Sequence, residues 1–432
     1  MITTSSERQS FLIILRFNKD DKQHPLDCGA MSDRGHLQPV VRAQSSLVVA
    51  IVDPAKKSAT TPMVSIALDN NAWRVFNSVL ELVSELNMLY RADRGYISNP
   101  SAFTQNQQSD VLGRIQTIGT KIRAVLAGEK GVVKDWLDEL FKQHESDGDR
   151  VDDVHHHVTI ITNDFSVPWY WLYSPFHDRF LCETVSLGML QLASFSDVSQ
   201  GESELKARER GEQKGQYRAL FINGAQGLPC TNAEADAVTL GLEGGVDEAV
   251  SPLADVALQI VGSNGDLSQI YKKYARQQAQ CKAFRLIHFT GEYSSDDLMV
   301  DNEAIEERDL EIFVDRSLFV LDGCSSADGI RAWTDLYRVT AHFMRQGAAG
   351  CLLPVLPMKN DPIVAEIFWG AFYRWIRMDG VSSGEALLQS RRFLKERLRE
   401  LGATNPAWVL YQLIGNPSVE MFAEAADRIE LR

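Results

Sequence analysis

Cys324 follows directly on the apolar run LFVLDG, and upstream a second run, FRLIHF, leads into Thr290, Gly291, Glu292 and Tyr293. Runs of this kind read as strands, each with reactive side chains at its end. A thiol at one strand end, with a base in the loop at the end of the next strand, is the skeleton of a cysteine hydrolase on a parallel sheet. Gly323 would let the backbone approach an acyl oxygen closely, so the amides of that turn suit an oxyanion hole. The base is where the pattern departs. The upstream loop offers Glu292, followed by Asp296 and Asp297, and no histidine. A cysteine thiol has a pKa of about 8.5, and nearby carboxylates push it further up by like-charge repulsion. A carboxylate is also a weak acceptor for a thiol proton.

His288 is the nearest imidazole in sequence, but it lies inside the strand, ~13 Å of extended chain before Glu292. It shares a strand face with Leu286 and Thr290, so it reads first as a hydrogen-bonded core histidine and only second as a substitute base. His342 and His177 have no spacing argument behind them. The bland alternative for Cys324 is a small residue capping a buried strand. His155, His156 and His157 are consecutive; along a strand only His155 and His157 could share a ligand, so the expectation is a solvated strand entrance and no metal.

The remaining cysteines, Cys28, Cys182, Cys230, Cys281 and Cys351, show no CxxC or zinc-like spacing. They imply reduced thiols, with Cys182, Cys281 and Cys351 buried in or beside apolar runs. A formal charge of -14 over 432 residues argues against sequence-independent contact with nucleic acid or anionic lipid, leaving only a local basic patch such as RRFLKERLR. No run reaches the ~18 to 20 apolar residues of a membrane span, and MITTSSERQS lacks the pattern of a signal peptide, so a cytoplasmic protein is expected. No cofactor motif is present.

The elements that must position the thiol follow from periodicity. FLIILRF, SSLVVAIV and MVSIAL read as strands of a small β-rich element. Trp73, Phe76, Val79, Leu80, Val83 and Leu86 form one helical stripe, Ile115, Ile118, Ile122 and Val125 another, and GEKGVVKDWLDELFKQ a third helix. ESDGDRVDD marks a boundary near residue 150, and the charged stretch before residue 217 reads as a surface loop. From there strands and helices alternate: YRALFIN, the helix opened near Thr231 or Asn232, DLSQIYKKYARQQAQ as a helix, FRLIHF, LFVLDG, RVTAHFMRQG stopped by Gly347, and AAGCLLPVL. Two amphipathic helices and a closing strand, WVLYQLIGNP, complete the chain. The pattern predicts an α/β fold with a mostly parallel sheet flanked by helices on both faces, plus an N-terminal β and helical region.

Several segments together resemble the CHAT domain, a family of caspase- and separase-like cysteine peptidases. VPWYWLY is similar to its aromatic turn, and RALFINGAQGLPCTNAEADAV to the strand, proline turn and acidic helix that open its caspase-like half. IHFTGEY resembles the segment carrying the catalytic histidine, and LFVLDGCSSA the segment carrying the nucleophile. The long stretch from FMRQGAAGCLLPVLP to LLQSRRFL, and NPAWVLYQLIGNP, resemble the segments that close the domain. The resemblance implies a domain over 151–432, with 158–216 its non-catalytic part and 217–432 its caspase-like core; residues 1–150 match nothing. It puts Cys324 at the nucleophile position and Glu292 at that of the histidine, with Tyr293 replacing the glycine that follows. The expectation is a pseudo-peptidase, a regulatory or interaction subunit with a protein partner in bacterial signalling or defence. The alternative is an active endopeptidase acting on a protein substrate, its histidine coming from His288, His342 or a partner chain.

Overall fold

The apolar runs that open the chain form β1 (Ser10–Asn18), β2 (Ser45–Val52) and β3 (Met63–Leu68), an antiparallel meander. Three helices follow, α1 (Asn70–Ala92), α2 (Gln105–Ala127) and α3 (Val132–Lys142). Their buried stripes are those of the 3.6-residue period: Phe76, Val79, Val83 and Leu86 on α1, and Ile115, Ile118, Ile122 and Val125 on α2. The computed structural model describes residues 10–18, 45–52, 63–68, 70–92, 105–127, 131–142, 156–162, 167–191, 217–224, 229–243, 256–263, 266–270, 284–293, 297–300, 303–306, 316–325, 340–356, 361–378 and 380–422. The acidic stretch near residue 150, the charged stretch before 217, Cys28, Cys281 and the distal part of DLSQIYKKYARQQAQ lie outside the described residues.

The chain continues through β4 (His157–Thr162), the aromatic turn with the short pair β5 (Tyr173–Ser174) and β6 (Arg179–Phe180), and β7 (Ser186–Gln191). Then come β8 (Tyr217–Asn223), α4 (Pro229–Glu243), β9 (Val256–Val261), β10 (Leu286–Tyr293), β11 (Asp297–Val300), β12 (Glu303–Glu306) and β13 (Leu318–Ser325). The last elements are β14 (Gly350–Pro354), α5 (Pro362–Ile376), α6 (Ser383–Glu400), the single turn α7 (Ala407–Leu410) and β15 (Tyr411–Gly415). Between β13 and β14 residues 340–345 are helical, and Gly347 at φ 96° ends that helix in a conformation open to glycine.

Thirteen of these strands join in one sheet, ordered β12-β11-β10-β13-β14-β15-β7-β4-β1-β2-β3, with β8 and β9 attached to β10. The fold is α/β with a mostly parallel sheet, as the strand and helix alternation predicts. Because β1 pairs in parallel with β4, the sheet runs without a break across residue 150. Strand alternation sends odd and even residues of β13 to opposite faces. Phe343 of the 340–345 helix packs on Phe319, while Trp369 of α5 reaches Asp322, so helices cover both faces. Two helix starts are set by their caps. The Asp361 carboxylate accepts from the amides of Ile363 and Val364 with Pro362 at the first helical position, and Ser382 and Glu385 form a capping box on α6. The closing segment WVLYQLIGNP differs from the expected single strand. Its first half is the buried turn α7, and the strand starts only at Tyr411.

Candidate functional site

β8, β9, β10, β13 and β14 stand in the spatial order β9-β8-β10-β13-β14, so the direction of winding reverses between β8 and β10. In open α/β sheets the crevice beyond the carboxyl ends at such a reversal is where ligands and chemistry gather. Both sequence-predicted positions lie at that end. β8 pairs with β10 only as far as Asn223 and Thr290. Past that point β10 continues between β13 and the hairpin β11–β12, which takes over the edge that β8 leaves.

This continuation brings Glu292 and Cys324 together: they are direct register partners on adjacent parallel strands, next to the pair Gly291 and Gly323. Neighbouring strands lie ~4.8 Å apart, so the two positions face each other at one level. The loop and turn expected there are corrected. Glu292 lies inside β10, and Gly323 and Cys324 lie inside β13, because the added hairpin keeps the backbone laddered to Tyr293 and Ser325. Gly291 has φ 156°, and a Cβ there would stand 3.0 Å from the Gly224 Cα. The Gly224 amide donates to the Thr290 carbonyl at 2.7 Å, so the exit of β8 folds closely over β10 and a side chain at 291 would obstruct it.

His288 is a core residue, 0% exposed. Its Nδ1 shares a hydrogen bond of 2.5 Å with the Tyr373 hydroxyl of α5, and its Nε2 is bonded to Oε1 of Glu234 on α4. The ring lies 4.6 Å, centroid to centroid, from Trp369 in an edge arrangement. Asp322 of β13 completes the group. Its Oδ2 accepts from Trp369 Nε1 at 2.8 Å and from the Tyr411 hydroxyl at 3.0 Å. One ligand atom each from Glu234, His288 and Asp322 lies within 4.8 Å of the others, all three residues buried.

Burial sets the protonation of this group. It raises Glu234 to about 8, partly countered by Asp322 and the Thr290 hydroxyl, and lowers His288 to about 3 against the pull of Asp322. Burial, then the Glu234 carboxyl, pushes Asp322 well above the usual carboxylate range. His288, held on both ring nitrogens four residues below Glu292 in the strand, is the hydrogen-bonded core histidine that its strand face predicts.

The histidine run is also corrected at His157, which is 5% exposed rather than solvated. Its Nδ1 meets the Ser186 hydroxyl at 3.1 Å, and its Nε2 faces the Glu385 carboxylate at 3.9 Å. β4 is a central strand, buried along its whole length, and its first residue is buried with it. His155 lies outside the described residues. His177 stacks on Phe141, and His342 sits on the 340–345 helix beside Phe343. Cys182 and Cys351 are free and buried, as their apolar surroundings predict. No helix of the described residues is long and apolar enough to cross a membrane.

Glu234, Asp322, Tyr373 and Trp369 carry no motif of their own in the sequence. Asp322 had one readable signal: it is two residues from Cys324 within an apolar run, so strand alternation puts an acid on the helix-covered face. Glu234 could be paired with it only through the tertiary fold. No protein-family model matches the chain, and no curated protein sequence matches it.

Proposed function

We propose that this protein is a caspase-like pseudo-peptidase, a scaffold that works by binding a protein partner in a signalling or defence system. The observation that carries the proposal is the register of Glu292 with Cys324 on adjacent strands. Cysteine hydrolysis needs a thiolate and a group that can accept, then return, a proton. Here a carboxylate residue stands at the level of the thiol position, and the imidazole nearest in sequence is locked in the core by Glu234 and Tyr373. Removing the base of a catalytic pair costs several orders of magnitude in rate. The family resemblance of the motifs supplies the caspase-like and signalling parts of the reading.

Thiol reactivity tests it. The full chain is labelled with iodoacetamide from pH 6 to 9, with peptide mapping and a Cys324→Ala control. The expected profile at Cys324 rises only near an ordinary thiol pKa of about 8.5. Strong labelling of Cys324 at pH 6 to 7 would show an activated thiolate and defeat the proposal.

A further inference from the structure

We infer that Glu234, His288 and Asp322 form a binding site for one divalent transition-metal ion, zinc foremost. The donor set is one imidazole nitrogen and two carboxylate oxygens, a combination suited to a zinc-class ion. These donors come from three separate elements, α4, β10 and β13, and converge in a volume from which solvent is excluded: Glu234 and His288 are 0% exposed and Asp322 is 6% exposed.

Two further observations suit this group to a cation. Glu234 directs its carboxylate into the group, yet its Oε2 is buried and no donor meets it in hydrogen-bonding geometry, although the Thr290 hydroxyl and the Asp322 carboxyl lie near this carboxylate. A buried carboxylate oxygen without a donor costs about 1–3 kcal/mol or more, so a native core supplies a partner for it. Among the described residues no lysine or arginine pairs with either carboxyl, and the imidazole that meets Glu234 is neutral, so without an ion the two carboxyls stay buried only by holding their protons. One divalent ion brings two carboxylates and a neutral imidazole to zero net charge.

The surroundings match those of a ligating histidine, which is usually fixed through its second ring nitrogen. Tyr373 holds Nδ1 at 2.5 Å, leaving Nε2 turned toward Glu234. Trp369 and Tyr411 fix Asp322 by donating to a single oxygen, Oδ2, with the carboxyl close to that of Glu234. Zinc ligands at about 2.0–2.2 Å from the metal stand roughly 3.3–3.6 Å apart in a tetrahedral site. The present span of up to 4.8 Å closes to that with small rotamer changes, while the His288–Glu234 contact opens. A bound ion ties α4 to both strands directly beneath Glu292 and Cys324, and so stiffens the strand ends at the winding reversal.

The experiment uses the full chain, purified without chelator and without a histidine tag. Elemental analysis should find about one equivalent of zinc, manganese or iron per chain. After dialysis against EDTA, Zn²⁺ should raise Tm, and Co²⁺ should give visible ligand-field bands. Glu234→Gln and Asp322→Asn keep the shape of a hydrogen-bonded network but remove the anionic ligands, so both should abolish the metal content. Tyr373→Phe should weaken affinity by roughly 10–100-fold. Absence of metal, with no Tm response of EDTA-treated protein to Zn²⁺, Mn²⁺ or Fe²⁺, would overturn the inference in favour of carboxyls that share protons. Undiminished metal in the Gln and Asn variants would also overturn it, by placing the ion elsewhere. Should those variants fail to fold, unchanged affinity in Tyr373→Phe counts against the site in the same way.

Discussion

Along β10 and β13 the same pair of strands carries polar chemistry at two levels, and the two levels differ in what surrounds them. In the lower part His288, level with Val320, and Asp322, level with Thr290, are buried beneath α4 and α5, with Tyr373, Glu234, Trp369 and Tyr411 bonded to them. At the upper level Glu292 and Cys324 stand in register where β8 has ended and only a two-strand hairpin flanks β10. A histidine exists in this strand, but on the level where it serves packing. On the proposed reading, a histidine and a cysteine on neighbouring strands do not make a catalytic pair when the imidazole is held in the core. Four residues of strand separate this core imidazole from the Glu292 position.

The comparison is broken most directly by removing one group from each level. Asp322→Ala leaves Trp369 Nε1 and the Tyr411 hydroxyl without their acceptor and opens a cavity, so it is expected to destabilise the fold by about 3–5 kcal/mol. Cys324→Ala, at a strand tip, is expected to stay within about 0.5 kcal/mol. Urea unfolding of both variants measures this. Equal losses would mean that the two levels are one structural unit.

The lower level should also reveal itself through pH in metal-stripped protein. Glu234 has its pKa raised from 4.5 to about 8, so the folded state holds its proton more tightly than the unfolded chain does. That contribution is complete at low pH and is lost as pH rises from 4.5 through about 8; Asp322, also pushed up by burial, adds to the loss. His288 acts oppositely. Lowered from 6.5 to about 3, it contributes stability above 6.5 that is lost as pH falls toward 3. The two slopes oppose each other between 4.5 and 6.5, and above 6.5 only the carboxyl loss remains. Stability should therefore fall from pH 6.5 to 8 with a slope of up to about 1.4 kcal/mol per unit for each titrating carboxyl. Glu234→Gln should reduce that slope. A slope unchanged in Glu234→Gln would show that Glu234 is not the titrating group.

The upper level was legible in the sequence and the lower one was not, for a physical reason. LFVLDGCS and LIHFTGEY are local patterns: an apolar run, a glycine, then a reactive side chain, and parallel pairing aligns their ends in register. The helical stripes of α1 and α2 and the Gly347 stop are local in the same sense. Glu234, His288, Asp322 and Tyr373 meet only after α4 and α5 pack on one face, and their spacing in the chain says nothing of that contact. The hairpin β11–β12 was missed because DLMV and EAIE are short and flanked by acids, so the region reads as loop. That miss moved Glu292 and Cys324 from loops into strands without changing their pairing. His157 was misread because three histidines look hydrophilic, although a central parallel strand buries even its first residue.

A small effect on stability, with a direct test of the upper level, comes from restoring the chemistry that the register implies. Glu292→His with Tyr293→Gly puts an imidazole at the level of the thiol position and removes the bulk beside it. Because these residues sit at a strand tip, the double variant should unfold within about 1 kcal/mol of the parent. Its thiol should differ much more. An imidazolium close to a cysteine lowers the thiol pKa to about 7 or below, so labelling of Cys324 at pH 6.5 should rise roughly tenfold or more over the parent. Cys324→Ala in the same background must abolish the gain. If the double variant folds and Cys324 stays as unreactive as before, the register of β10 against β13 does not bring the two side chains together, and the contrast between the levels loses its upper half.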